Sequence, residues 1–178
     1  MVSVENPAGL LSHILHKARI TLGFLANSPR ADNDMYAHMN NSIYNFLFDS
    51  VVNTYLIRHC GGFDPARRTP QYGMVVHSHT DYFASISFPD VAELGLRVKR
   101  LGQSSVHYEI GLFAQGQPGV RAVGVFVQVF VDAATDRPNS KTGMHPSLRE
   151  GLERIITRLP GDDEVEEKPK GMGGSSKI

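Results

Sequence analysis

Apolar residues crowd one stretch of the chain and then fall into alternation. Between residues 41 and 60 they stand at Ile43, Tyr44, Phe46, Leu47, Phe48, Val51, Val52, Tyr55, Leu56 and Ile57. That density predicts a helix whose apolar surface is far wider than one stripe, and such a helix is expected to be buried nearly all round. Asn40 or Asn41 stands at the N-cap position, where an Asn side chain can accept from the free N–H groups of the first turn. Gly61 and Gly62 end the helix. Strands are predicted at 72–83, 93–101, 105–114 and 120–132. In 93–101, Leu94, Leu96 and Val98 share one face and Glu93, Arg97 and Lys99 the other, solvated one. In 105–114, Val106, Tyr108, Ile110 and Leu112 point inward. The last strand has Val123, Val125, Val127, Val129 and Val131 on one face and Phe126 and Phe130 on the other, so it is expected at the centre of a sheet or covered by a second subunit. A strand at 18–26 precedes the helix, and a short helix at 147–158 follows the last strand.

Strands in succession, joined by turns such as RLGQS (100–104) and QGQPG (115–119), make an antiparallel sheet. The expected architecture is α+β: one antiparallel sheet wrapped around one long central helix, in a single domain over residues 1–159. Residues 160–178 are acidic and then rich in Gly and Ser, and are expected to form a flexible tail.

Composition narrows the partners. Among 178 residues, 18 Lys and Arg balance 18 Asp and Glu, a formal net charge of +0, so no nucleic acid is expected as a partner. The one cysteine, Cys60, excludes an intrachain disulfide and reads as a small apolar residue at a helix end. No apolar run approaches the ~20 residues of a membrane span. The first residues lack a basic segment followed by a long apolar one, so no secretory leader is expected. Ser176, Lys177 and Ile178 resemble the C-terminal Ser-Lys-Leu peroxisomal address, with Ile for Leu. A peroxisomal location, with the import receptor as a partner, is the expectation, and a cytoplasmic one otherwise.

The candidate chemistry lies just ahead of the long helix, in RADNDMYAHMNNSIY. Asp32 and Asp34 form a D-x-D, yet a calcium loop would continue with oxygen ligands where Tyr36 and Ala37 stand. A manganese-dependent nucleotide-sugar site needs a nucleotide domain upstream, and the preceding stretch is too short for one. Position suggests another use. The start of a buried helix offers free N–H groups and the positive end of a dipole, which polarise a carbonyl and hold the oxyanion formed on attack. A carboxylate beside it can attack that carbonyl or take a proton from an attacking water.

The run from Asp32 through Asp34, His38, Asn40 and Asn41 to Tyr44 resembles the D-x-D-x-x-G-H-x-N-N-x-x-Y signature of the 4-hydroxybenzoyl-CoA thioesterase-like branch of the hotdog-fold superfamily, with Ala37 at the usual Gly. The likeness extends over about residues 18–159, and VKRLGQSSVHYEI is similar to the family's Ser-bearing strand–turn–strand, with Ser104 or Ser105 at that place. It implies a hotdog-fold acyl-CoA thioesterase without cofactor or metal, working as a homodimer or homotetramer in fatty-acid metabolism. Asp34 would be nucleophile or general base, with His38, Met39, Asn40, Asn41 and Ser105 at the substrate and backbone N–H groups around residues 39–41 on the thioester oxygen. A non-catalytic acyl-CoA-binding hotdog protein is the alternative. An enoyl-CoA hydratase would need an Asp/His pair on a different motif, which is absent.

Other residues have plainer readings. His38 serves as a loop-orienting group or a thioester contact, the Asn pair as caps, and Tyr44 as core. His77 and His79 form an H-x-H with no evident third zinc ligand, read as a surface pair. Arg67, Arg68, Arg97, Lys99 and Arg100 are candidates for the CoA phosphates, against a solvated strand face.

Overall fold

The computed structural model describes residues 19–25, 32–61, 69–138, 141–159 and 162. Arg67, Arg68 and the Ser176–Lys177–Ile178 end lie outside the described residues. The elements run β1 (Arg19–Leu25), α1 (Asn41–His59), β2 (Gln71–Tyr82), β3 (Val91–Leu101), β4 (Ser105–Ala114), β5 (Val120–Asp132) and α2 (Pro146–Glu153). All five strands form one antiparallel sheet in the order β1-β3-β4-β5-β2. The expected α+β hotdog arrangement, one antiparallel sheet packed on one long helix, is therefore the observed one. β5 is internal to the sheet, as its two apolar faces require.

α1 departs from the expectation of burial all round. Tyr44, Leu47, Phe48, Val51, Val52, Tyr55 and Leu56 are buried, spaced by threes and fours so that they share one face. On the other face Phe46 is 55% exposed and Ile57 47%, with Asp49 and Asn53 hydrogen-bonded beside them. The sheet wraps the buried face of the helix and leaves Phe46 and Ile57 outside it within one chain. The seat of the helix is Gly124 of β5, where an added Cβ would stand 2.5 Å from two Phe48 ring carbons. Phe48 is fully buried and cannot swing clear, so Gly124→Ala should overpack this contact and lower stability by ~1–3 kcal/mol in urea unfolding.

Leu94, Leu96 and Val98 reach the core, as alternation predicts. The other face of β3 is corrected: Glu93 and Arg97 are buried, Arg97 to 1% exposure. Residues 155–157 run along the edge of β3 beyond β1, with Val98 donating to the Ile155 carbonyl at 3.0 Å and Thr157 donating to the Val98 carbonyl at 3.2 Å. Arg97 then donates to Glu109 at 2.6 Å, to the Thr157 carbonyl at 2.7 Å, and to both oxygens of Asp162 at 2.8 and 3.0 Å. Lys99 adds ion pairs to Glu109 and Asp162, each at 3.5 Å. Arg97 is thus an internal tie and not a solvated cation offered to CoA. Asp162, the third residue of the expected tail, is anchored on the sheet.

Candidate active site

Residues 32–40 form a closed turn. Asn33 bridges Met39 in antiparallel fashion. Inside the turn the Asp34 N–H donates to the His38 carbonyl at 2.7 Å, and the Ala37 N–H to the Asp34 carbonyl at 3.1 Å. The Asp34 carboxylate completes it. Its Oδ1 accepts from the N–H groups of Tyr36 at 2.8 Å and His38 at 3.0 Å, and the side chain is exposed. One carboxylate oxygen is thus fixed by the backbone while Oδ2 has no partner among the described residues. A carboxylate held this way is aimed, not merely present.

The turn is pinned to the core. The Met39 N–H donates to the Ile86 carbonyl and the Asn40 N–H to the Asp32 carbonyl, both at 2.8 Å, and the Met39 side chain is buried in the main cluster. Tyr44, one turn into α1, meets the edge of Tyr82 with ring centroids 5.1 Å apart. Burial raises its hydroxyl pKa above the ordinary 10.0, against the lowering effect of a hydrogen bond to the Ile86 backbone. Tyr44 is therefore a neutral anchor. Ile86, which receives the turn, carried no sequence signal, because a backbone carbonyl acceptor leaves none.

Fewer backbone N–H groups stand open at the mouth of α1 than the motif led one to expect. Met39 and Asn40 lie in the turn, but their N–H groups are already engaged. Asn40 sits at the N-cap with no side-chain hydrogen bond into the helix, so the capping role foreseen for the Asn pair is corrected. No described residue accepts from the N–H of Asn41 or Ser42; the first turn of α1 stays open at those two groups. The His38 imidazole is exposed and has no hydrogen-bond partner among the described residues.

Ser105 stands apart. It pairs with Val129, whereas Tyr82, against which α1 begins, pairs with Ala122. Seven residues along β5 separate these points, roughly 23 Å at the strand rise, so within one chain Ser105 does not reach the turn. Cys60 is fully buried and burial pushes its thiol up to about 12, which removes it as a nucleophile. His77 and His79 stand 3.4 Å apart, and among the described residues no group of three or more His, Cys, Asp or Glu is placed to hold a metal.

Ala37 has φ 62°, the left-handed region where a side chain costs about 1–2 kcal/mol and Gly does not. This accounts for the Gly usual at that position; here the turn forms with Ala, under strain. Ala37→Gly should raise stability by roughly 1 kcal/mol in denaturant unfolding, while Ala37→Val, branched at this φ, should lower it.

The profile of the thioesterase-like superfamily matches residues 29–152. The chain belongs to that superfamily. The match covers the turn, α1 and all of β2–β5, and the expected enzyme class, a thioester hydrolase, is the class the superfamily name carries. Among solved structures, the PA5185 protein from Pseudomonas aeruginosa strain PAO1 is 41% identical, with 79% of this chain and 90% of that chain covered at a TM-score of 0.67. A thioesterase from Thermus thermophilus, in complex with coenzyme A and zinc, is 22% identical, with 77% and 95% covered at 0.60. The SAV2348 protein from Staphylococcus aureus, in complex with CoA, is 18% identical, with 90% and 94% covered at 0.66. The last two show the fold this member of the thioesterase-like superfamily adopts. No curated protein matches it in sequence.

Proposed function

We propose that the chain is an acyl-CoA thioesterase, hydrolysing an acyl-CoA to free acid and CoA at Asp34. The observation that carries this reading is the Asp34 carboxylate, held through one oxygen by Tyr36 and His38 with the other open, ahead of an uncapped helix start. In one course the open oxygen attacks the thioester carbon, the C–S bond breaks, CoA leaves as thiolate, and water cleaves the resulting anhydride. In the other, the carboxylate takes a proton from water as that water attacks. In both, the N–H groups of Asn41 and Ser42 and the α1 dipole receive the negative oxygen. Two of the solved structures it resembles were obtained with coenzyme A, which supports this substrate class. The resembling proteins named above are bacterial and lend the peroxisomal expectation no support.

A homodimer or homotetramer belongs to the same proposal. β2 is an edge strand of 12 residues, and Tyr72, Met74, Val75 and Val76 on it are exposed. Unpaired apolar edges recruit a partner. Val76→Lys should shift the protein towards monomer in light scattering. The activity is tested by thiol release from short, long and aromatic acyl-CoAs. Saturable release with at least one supports the thioesterase; binding without release of any would establish the acyl-CoA-binding alternative.

A further inference from the structure

The sheet face turned away from α1 carries a groove of about 760 Å³. Strand register arranges its lining in three cross-strand rows. The first is His77, Val127, His107 and Arg100. The second is His79, Val125, Glu109 and Arg97, and the third runs from Asp81 through Val123 to Gly111. Arg158 lines the groove as well; Ile156 bridges Val98 in parallel, so Arg158, two residues on, falls beside Arg100 at the first row.

The rows differ in charge. The first holds two imidazoles and Arg100, with Arg158 beside them, and no carboxylate among the described residues of the row; Asp162 and Lys99 line the groove as well, with Asp162 ion-paired to Arg97 and Lys99. In the second, Glu109 is taken up by Arg97 and Lys99. The third is apolar at its centre, where Val123 joins Phe113 and Val120 in a small buried cluster, and its one acid, Asp81, lies on β2, 3.9 Å from His79. Polarity therefore changes along the strands, from a cationic end to an apolar end near Phe83. Val127, Val125 and Val123 form a continuous floor between them. Four residues of strand separate the first valine from the last, about 13 Å. An apolar floor with cations at one end suits a ligand with an anionic head and one apolar tail.

We propose that this groove binds an alkyl carboxylate of medium length, its head at the row of His77, His107 and Arg100 and its tail along the three valines towards Phe83. The groove and Asp34 lie on opposite faces of the sheet, and the proposal does not rest on the hydrolase reading.

The test is methyl NMR of the full chain with labelled valines, titrated with decanoate. The Val125 and Val127 methyl resonances should shift along one saturating curve. The double variant His77→Ala/Arg158→Ala, at two sites away from the core, should weaken binding about tenfold or more, and neutral decanol should bind the wild type at least about tenfold more weakly than decanoate. Val125→Glu, which puts a like charge on the floor, should abolish the effect at Val127. No saturable shift at these valines, equal affinity for decanol, or an unchanged affinity in the double variant would each overturn the proposal.

Discussion

Asp34→Asn is expected to lower thioester turnover by about 10²–10⁴-fold while leaving the fold and acyl-CoA affinity near those of the wild type. Asn is the informative substitution because of how the turn is built. The Asp34 side chain accepts from Tyr36 and His38 through one oxygen, and an Asn carbonyl can accept the same two bonds. What Asn cannot do is attack a carbonyl as a carboxylate or accept a proton from water at neutral pH. Asp34→Ala removes both functions and should also loosen the turn, at about 0.5–1.5 kcal/mol for each lost hydrogen bond. Thiol release, paired with urea unfolding of the same preparations, separates the two. A purely structural acid would differ at Asn: Asp34→Asn would stay active, and only Asp34→Ala would be impaired, through the loosened turn.

The second large effect is on stability. Arg97→Met should destabilise the fold by ~3–5 kcal/mol, the usual cost of stripping one partner from a buried ion pair. Two carboxylates, Glu109 and Asp162, stay behind with side-chain exposures of only 7% and 11%. The partly exposed Lys99, 3.5 Å from each, compensates for part of that charge. Adding Asp162→Asn to Arg97→Met should recover some of the loss, since one stranded charge is then gone; urea unfolding measures both. The same network has a pH signature. Burial pushes the Asp162 carboxyl up, but hydrogen bonds from Arg97 and the Leu159 N–H, with the charges of Arg97 and Lys99, outweigh it and leave the pKa below its ordinary 3.8. A depressed carboxylate contributes stability that is fully present above its unfolded value and is lost as pH falls through the folded one. Asp162→Asn should therefore be less stable than wild type at neutral pH, and the two should converge in acid below about pH 4.

Where the pattern had a period to follow, the sequence was a good guide. The strands at 105–114 and 120–132 were expected at the limits observed, because a period of two is a strong constraint when one face enters a core. The polar face of β3 was misread for a related reason. Alternation separates Arg97 from Leu96 and Val98 but does not tell what covers Arg97; Thr157 and Asp162 do so, and nothing in β3 announces a cover 60 and 65 positions away. Density misled in α1: the apolar residues at Phe46 and Ile57 widen the stripe without entering the core of one chain. At the site, the order of polar residues from Asp32 to Asn41 was legible, since the turn is local and its residues are contiguous. The amide bonds of Met39 to Ile86 and of Asn40 to Asp32 were not, because they belong to the backbone and to tertiary placement. Those two bonds engage the N–H groups of Met39 and Asn40 and leave those of Asn41 and Ser42 open at the mouth of α1. Ser105 was placed by likeness of motif, and only the pairing with Val129 reveals how far along the sheet it stands.

The central claim is that Asp34 acts on a thioester bound at the mouth of α1. The most direct measurement follows acyl-CoA binding and CoA release together, in wild type and Asp34→Asn, with the best substrate of the acyl panel. The account predicts similar affinity in both proteins, with release in the wild type only. Release by Asp34→Asn at the wild-type rate, or binding without release in the wild type, would contradict it.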